Sequence, residues 1–223
     1  MRIIITESQL EYLKKDLGED YPSNWSVEEF KKLKSFSKRV EYCNNNLQRI
    51  SSGSSRIVYK IDDTKVLKLA KNTKGLAQNE LEIDFSRYAD LSDIVAQVFD
   101  YAEDNTWLEM ELAYKLNPAI FKKITGFKWD DFTNVMNKHY YVVNPREAKF
   151  FRPNYEVDKE VEEKMWEDEF IYQMLSLMGN YDVPVGDLIK ISSYGVVKRN
   201  GADAIVLIDY GINQEIYKMY YKR

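Results

Sequence analysis

Cysteine and histidine are nearly absent from this 223-residue chain, with Cys43 and His139 the single example of each. A lone cysteine excludes an intramolecular disulfide and fits a reducing, intracellular setting. One cysteine and one histidine far apart in sequence also argue against a zinc site or a Cys–His nucleophile pair. Positive charge is not in excess: 32 lysines and arginines face 36 aspartates and glutamates, a net charge of −4. The basic footprint of a nucleic-acid binder is therefore missing. No apolar run approaches the roughly 18 residues that a membrane helix needs. The start, Met1-Arg2-Ile3-Ile4-Ile5-Thr6, turns polar too early for a signal peptide, so a cytoplasmic protein without a membrane partner is expected. What is present is a globular composition, 44% hydrophobic and 30% charged, long enough for one ordinary domain or two small lobes.

No internal repeat is evident. Residues 2–5 read as a short strand, and Thr6 with Gln9 has the form of a capping box that opens a helix. Ser26 with Glu29 repeats the signal and predicts a second helix toward Val40, broken off by Asn44-Asn45-Asn46. Residues 1–46 thus form an N-terminal appendage. The texture then changes. The segment "SSGSS" (51–55) reads as a flexible loop, and 57–61 and 65–70 as two strands around the turn Asp62-Asp63-Thr64. Gly75–Tyr88 reads as a helix, and 94–101 and 107–112 as two more strands. Past Ala113 helices dominate: 117–124, 130–137 and a long one over 157–178, with residues 140–156 as an irregular excursion. Residues 195–198 and 204–208 flank Asn200-Gly201, the preferred residues of a type I′ hairpin turn. A short helix follows from Gln214. This order predicts an α+β architecture: a sheet-rich lobe over 47–113, then a mostly helical lobe with a hairpin over 114–223, and a cleft between them.

Several residues could carry chemistry in that cleft. Each also has an ordinary reading. A Ser/Gly loop around Gly53, Ser54 and Ser55 leaves backbone N–H groups free for phosphate oxygens, although such loops are commonly just turns. Lys68 lies inside the apolar strand "KVLKLA". There it either needs a partner or snorkels outward from an edge. Glu80 and Glu82 on the next helix are candidate partners, or merely part of a solvated helix face. Asp187 follows Gly186 where a turn or cap aspartate is common, and Asp209 ends the apolar run "AIVLI". Their order along the chain makes them informative together.

Glycine loop, strand lysine, helix glutamate, aspartate, then Asp-Tyr-Gly is the order of a protein-kinase core. The chain resembles that fold over roughly 48–213. "SSGSSRIVYKI" is similar to the glycine-rich loop and its following strand, with Gly53 at the central glycine and Val58 at the valine after the loop. "VLKLA" would carry the nucleotide-binding lysine at Lys68. "GLAQNELEI" would carry its partner at Glu82, with Glu80 second. "WLEMELA" resembles the strand entering the hinge, placing Glu111 to Ala113 beside an adenine. "VGDL" resembles the catalytic loop, making Asp187 the base, and "LIDYG" resembles Asp-Phe-Gly, making Asp209 a magnesium ligand. Ser51 and Arg56 replace the outer glycines. Ser192 or Ser193 stands in the region of the metal-binding asparagine, and about a dozen residues follow Gly211, which implies a truncated second lobe.

The resemblance implies a nucleotide partner, with ATP and Mg²⁺ as cofactors. Two functions follow: a minimal ATP-dependent phosphotransferase, or an inactive pseudokinase kept as a protein-interaction module. The small size and "RIIITESQL" at the N-terminus resemble proteins of tailed bacteriophages, so the second reading includes a virion component or a host protein as partner.

Overall fold

The computed structural model describes residues 21–144 and 155–221. The strand and helix expected before residue 20, and the 145–154 part of the irregular excursion, lie outside the described residues. The fold is α+β, with a five-stranded antiparallel sheet followed by a mostly helical lobe that holds a three-stranded sheet.

The first sheet contains β1 (Gln48–Ser52), β2 (Arg56–Lys60), β3 (Lys65–Ala70), β4 (Val98–Tyr101) and β5 (Trp107–Glu111), in the order β1-β2-β3-β5-β4. Side chains alternate between its faces. Ile57, Tyr59, Leu67, Leu69 and Trp107 point to the outer face and pack with Trp25, Phe30 and Cys43. Val66, Leu108 and Met110 point inward and join the core shared with the second lobe. With both faces covered, every residue of β3 is buried, Lys65 and Lys68 included.

The outer cover comes from α1 (Val27–Lys32) and α2 (Phe36–Asn46). One helix from 26 to 40 is expected from the sequence, but two form, because the Ser35 hydroxyl accepts from the Lys38 amide and caps a new start. The asparagines 44–46 are the last turn of α2 and not a breaker. The "SSGSS" segment is not a free loop either. Ser51 and Ser52 belong to β1, and Gly53 N donates to Arg56 O at 2.9 Å, closing a hairpin.

Helix α3 (Thr73–Ser86) is capped by Asn72, whose side chain accepts from Gly75 N at 3.2 Å. The strand expected over 94–101 pairs with β5 only from Val98 onward. Residues 94–96 bond the second lobe instead: Ala96 N donates to Leu207 O, and Leu207 N to Ile94 O, both at 2.8 Å.

The second lobe holds β6 (Tyr114–Lys115), α4 (Pro118–Thr125), α5 (Trp129–Val143), α6 (Lys159–Glu167), α7 (Glu169–Asn180), α8 (Val185–Leu188), β7 (Tyr194–Arg199), β8 (Ala202–Leu207) and α9 (Gln214–Tyr220). α5 runs six residues past its expected end, from Asn137 to Val143, through the start of the supposed irregular stretch. It stops where Pro145 disfavours a helical Asn144. The single helix expected over 157–178 is two. Asp168 leaves helical geometry, and its carboxylate accepts from Ile171 N at 3.0 Å to cap α7. Asn200 and Gly201 have φ of 52° and 80°, the pair of positive values that a type I′ turn requires. Phe121, Trp129, Phe132, Phe170 and Tyr194 form an aromatic cluster in this lobe.

Candidate active site

The site starts with the alternation of β3, which turns Lys68 to the inner face beside Val66. Its ammonium reaches both oxygens of Glu82 on α3, Oε2 at 2.8 Å and Oε1 at 3.0 Å. It also donates to the carbonyl of Ile208 at 2.6 Å, the residue immediately before Asp209. Glu82 is wholly buried, whereas Glu80 is exposed.

A second cation shares this carboxylate. Arg56 opens β2 with its side chain only 9% exposed, and it spans 2.7 Å to Glu82 Oε2 and 2.8 Å to Asp209 Oδ1. Unlike a surface pair, such buried ion pairs are held tightly, because loss of one partner leaves an uncompensated charge.

Asp209 sits at the end of β8, held by its neighbours. Tyr210 donates to Ala96 O at 2.7 Å and stacks its ring on Phe85. Gly211 approaches α3 so closely that a Cβ there would lie 2.7 Å from Gln78 O. Asp187 lies on α8, which Tyr194 anchors by donating to Leu188 O at 2.6 Å. Lys190 reaches Asp187 Oδ1 at 3.3 Å.

These groups face a cleft of about 560 Å³ between the lobes. Gly53, Ser54, Ser55, Val58, Lys68, Glu111, Ala113, Asp187, Ser192 and Asp209 all line it, and Glu82 stands behind Lys68. Glu111 brings mainly its backbone, because its carboxylate is committed to Arg199 at 2.8 Å and to Gln97 N at 3.2 Å. The loop above the cleft is tied down. Lys71 donates to Gly53 O at 2.6 Å, and Asn72 to Ser54 O at 3.0 Å.

The carboxylates are tuned apart. Burial pushes Asp187 above the usual carboxylate range, with Lys190 partly offsetting it and Asp209 adding to it. Burial acts on Asp209 in the same direction, but Arg56, Lys68 and Lys190 outweigh it and hold that carboxyl below the usual range. The Asp209 side chain is nonetheless 56% exposed: protein rings it, but it opens onto the cleft. Burial lowers the Lys68 ammonium from its ordinary value, Glu82 pulls it back, and Arg56 adds to the fall.

Among the described residues no group of three or more His, Cys, Asp or Glu could hold a metal ion. Asp209 offers a hard oxygen donor open to the cleft, and no described residue bonds its Oδ2. Mg²⁺ typically takes only one or two protein carboxylates and completes its shell with water and phosphate oxygens. The donors present fit an ion carried in with a nucleotide, not one held in a protein cage.

The sequence reading missed Arg56 as a participant, treating it only as a lost glycine. Its position two residues before Val58, on the face of Lys68, was the available signal. Also missed was the C-terminal helix. Tyr217 and Tyr221 line the cleft with rings stacked at 2°, and Tyr221 accepts from Gln78 Nε2 at 2.9 Å. Gln78 in turn accepts from Ser55 Oγ at 2.6 Å, a contact that links loop, α3 and α9.

No protein-family model matches the chain. No curated protein matches it. Among solved structures it is similar to APH(2″)-IIa in its ternary complex with streptomycin and ATP, at 13% identity and a TM-score of 0.35, covering 80% of this chain and 71% of that one. It is also similar to the GDP and kanamycin complex of APH(2″)-IIIa, at 11% identity and 0.37, covering 74% and 66%. A third is an ethanolamine kinase of Plasmodium vivax, at 17% identity and 0.30, covering 94% and 70%. Values this low leave the architecture to be judged on its own topology, and they lend no support to a phage or virion role. Those neighbours have a protein-kinase-like fold, and on its strand order, its buried strand-lysine to helix-glutamate pair and its returning Asp-Tyr-Gly the chain has one too.

Proposed function

We propose that the chain binds a nucleoside triphosphate in the cleft and transfers its terminal phosphoryl group to a hydroxyl acceptor. One observation carries this reading: the buried Lys68–Glu82 pair opens onto the same cleft as Asp187 and Asp209. In this reading Lys68 holds the α- and β-phosphates, and Glu82 holds Lys68 at the distance and angle this requires. The backbone of Gly53, Ser54 and Ser55 covers the phosphates. Val58 packs on the base, whose edge meets the Glu111 to Ala113 backbone. Asp209 and Ser192 would hold Mg²⁺, which when bound supplies neutralising charge between the phosphates. Asp187 accepts the proton of the attacking hydroxyl while the bond from the terminal phosphorus to the nucleoside diphosphate breaks. Its raised pKa suits that task, since a base works best when its pKa approaches the working pH.

Calorimetric titration with Mg-ATP tests the reading. Saturable heat is expected, and absence of binding at millimolar nucleotide overturns it. Lys68→Ala should lower ATP turnover by about 10²- to 10³-fold, the scale of one electrostatic donor. Unchanged turnover in Asp187→Ala removes that residue as the base.

A further inference from the structure

We propose that Arg56 is a positioning residue that keeps a bare divalent cation off Asp209, so that metal enters only together with nucleotide; this rests on the phosphotransferase reading. The argument begins with charge. Three cations, Lys68, Arg56 and Lys190, contact the three carboxylates Glu82, Asp209 and Asp187. The cleft floor is therefore balanced before any ion arrives, and it offers a dication little net attraction.

Position adds to this. Arg56 is 2.8 Å from Asp209 Oδ1, so a metal on that oxygen would place two cations side by side. A surface arginine would swing away. Arg56 cannot do so easily, because its side chain is 9% exposed and its other nitrogen is 2.7 Å from the fully buried Glu82 carboxylate. Asn79 Oδ1 lies 3.5 Å from that same nitrogen. The guanidinium thus fixes one Asp209 oxygen and leaves Oδ2 for an ion. A triphosphate entering beside Lys68 adds negative charge and turns the balance in favour of a cation. Arg56 in this way couples metal binding to nucleotide binding.

The test uses Mn²⁺ as the probe, with free ion followed by electron paramagnetic resonance on the full chain without nucleotide. Wild type should bind weakly. Arg56→Gln removes the charge but leaves Lys68 to neutralise Glu82, and it should bind Mn²⁺ roughly tenfold tighter, the smallest effect usual for a neighbouring like charge. Arg56→Lys should restore the weak binding. The gain in Arg56→Gln should vanish when Asp209→Asn is added. No gain in Arg56→Gln, or a gain that survives Asp209→Asn, overturns the proposal. Should Arg56→Gln not fold by circular dichroism, wild type still decides: Mn²⁺ binding at about 10⁻⁵ M or better, as in a built oxygen-donor site, overturns it. A fluorescent ATP analogue titrated into wild type separates the two ideas. Failure of that titration removes the phosphotransferase reading, whereas the Mn²⁺ series judges Arg56 by itself.

Discussion

Asp187 and Asp209 open onto one cleft and titrate in opposite directions. Carboxylates driven apart in this way commonly divide the roles of base and charged ligand between them. The cause here is local. Asp209 has Arg56 at 2.8 Å, while Asp187 has only the more exposed Lys190 at 3.3 Å. Lys190 draws Asp187 down against the effect of burial. Lys190→Ala should therefore move the acid limb of the ATP turnover profile to higher pH, because burial and Asp209 then act unopposed. An acid limb that stays in place, or moves down, would show that Asp187 does not set it. At this scale Lys68 and Asp209 were legible in the sequence, since a charge inside an apolar run stands out. Arg56 was not, because its meaning depends on Glu82 and Asp209, 26 and 153 positions away.

Elements meet here through close backbone approaches. Gly75, in the first turn of α3, faces the loop: a Cβ there would lie 2.3 Å from Ser55 O and 3.1 Å from Ala70. Backbone cannot rotate away as a side chain can, so the loop would have to shift. Gly75→Ala should destabilise the chain by about 1–3 kcal/mol in urea unfolding and weaken nucleotide binding with it. Gly179 in α7 has nothing within 4 Å of its would-be Cβ. Gly179→Ala should instead stabilise by up to about 1 kcal/mol through helix propensity. Equal effects at the two positions would refute the close-approach argument. Element type was readable from periodicity, and the Asn200-Gly201 hairpin from its turn residues. The two helix breaks were not, because Ser35 and Asp168 are ordinary polar residues until their side chains turn to cap the next helix.

Over the whole molecule, the outer face of the first sheet is closed by α1 and α2, so residues 21–46 share a core with the strands. Cys43 lies fully buried in that core. Burial pushes its thiol up to about 12, against the opposing pull of Arg39. Reactivity needs both the thiolate and access. A thiol reagent at pH 8 should thus be nearly inert toward the native chain and react fully in urea. Reaction of the folded chain at the unfolded rate would mean that α1 and α2 do not stay docked. The lobes are joined by the bonds of Ala96 and Leu207 and by Arg199, which reaches Ser92 O, Val95 O and Glu111. None of these contacts is local in sequence.

By itself the sequence determined the α+β class, the order of strands and helices, and the lysine and aspartates that line the cleft. Each of these depends on local patterning: alternation, turn chemistry, or a charge ending an apolar run. The tertiary structure decided which helix glutamate meets Lys68, how the outer face of the sheet is covered, and that Arg56 stands between Glu82 and Asp209. Those outcomes turn on which faces pack together, and packing brings into contact residues that lie far apart along the chain.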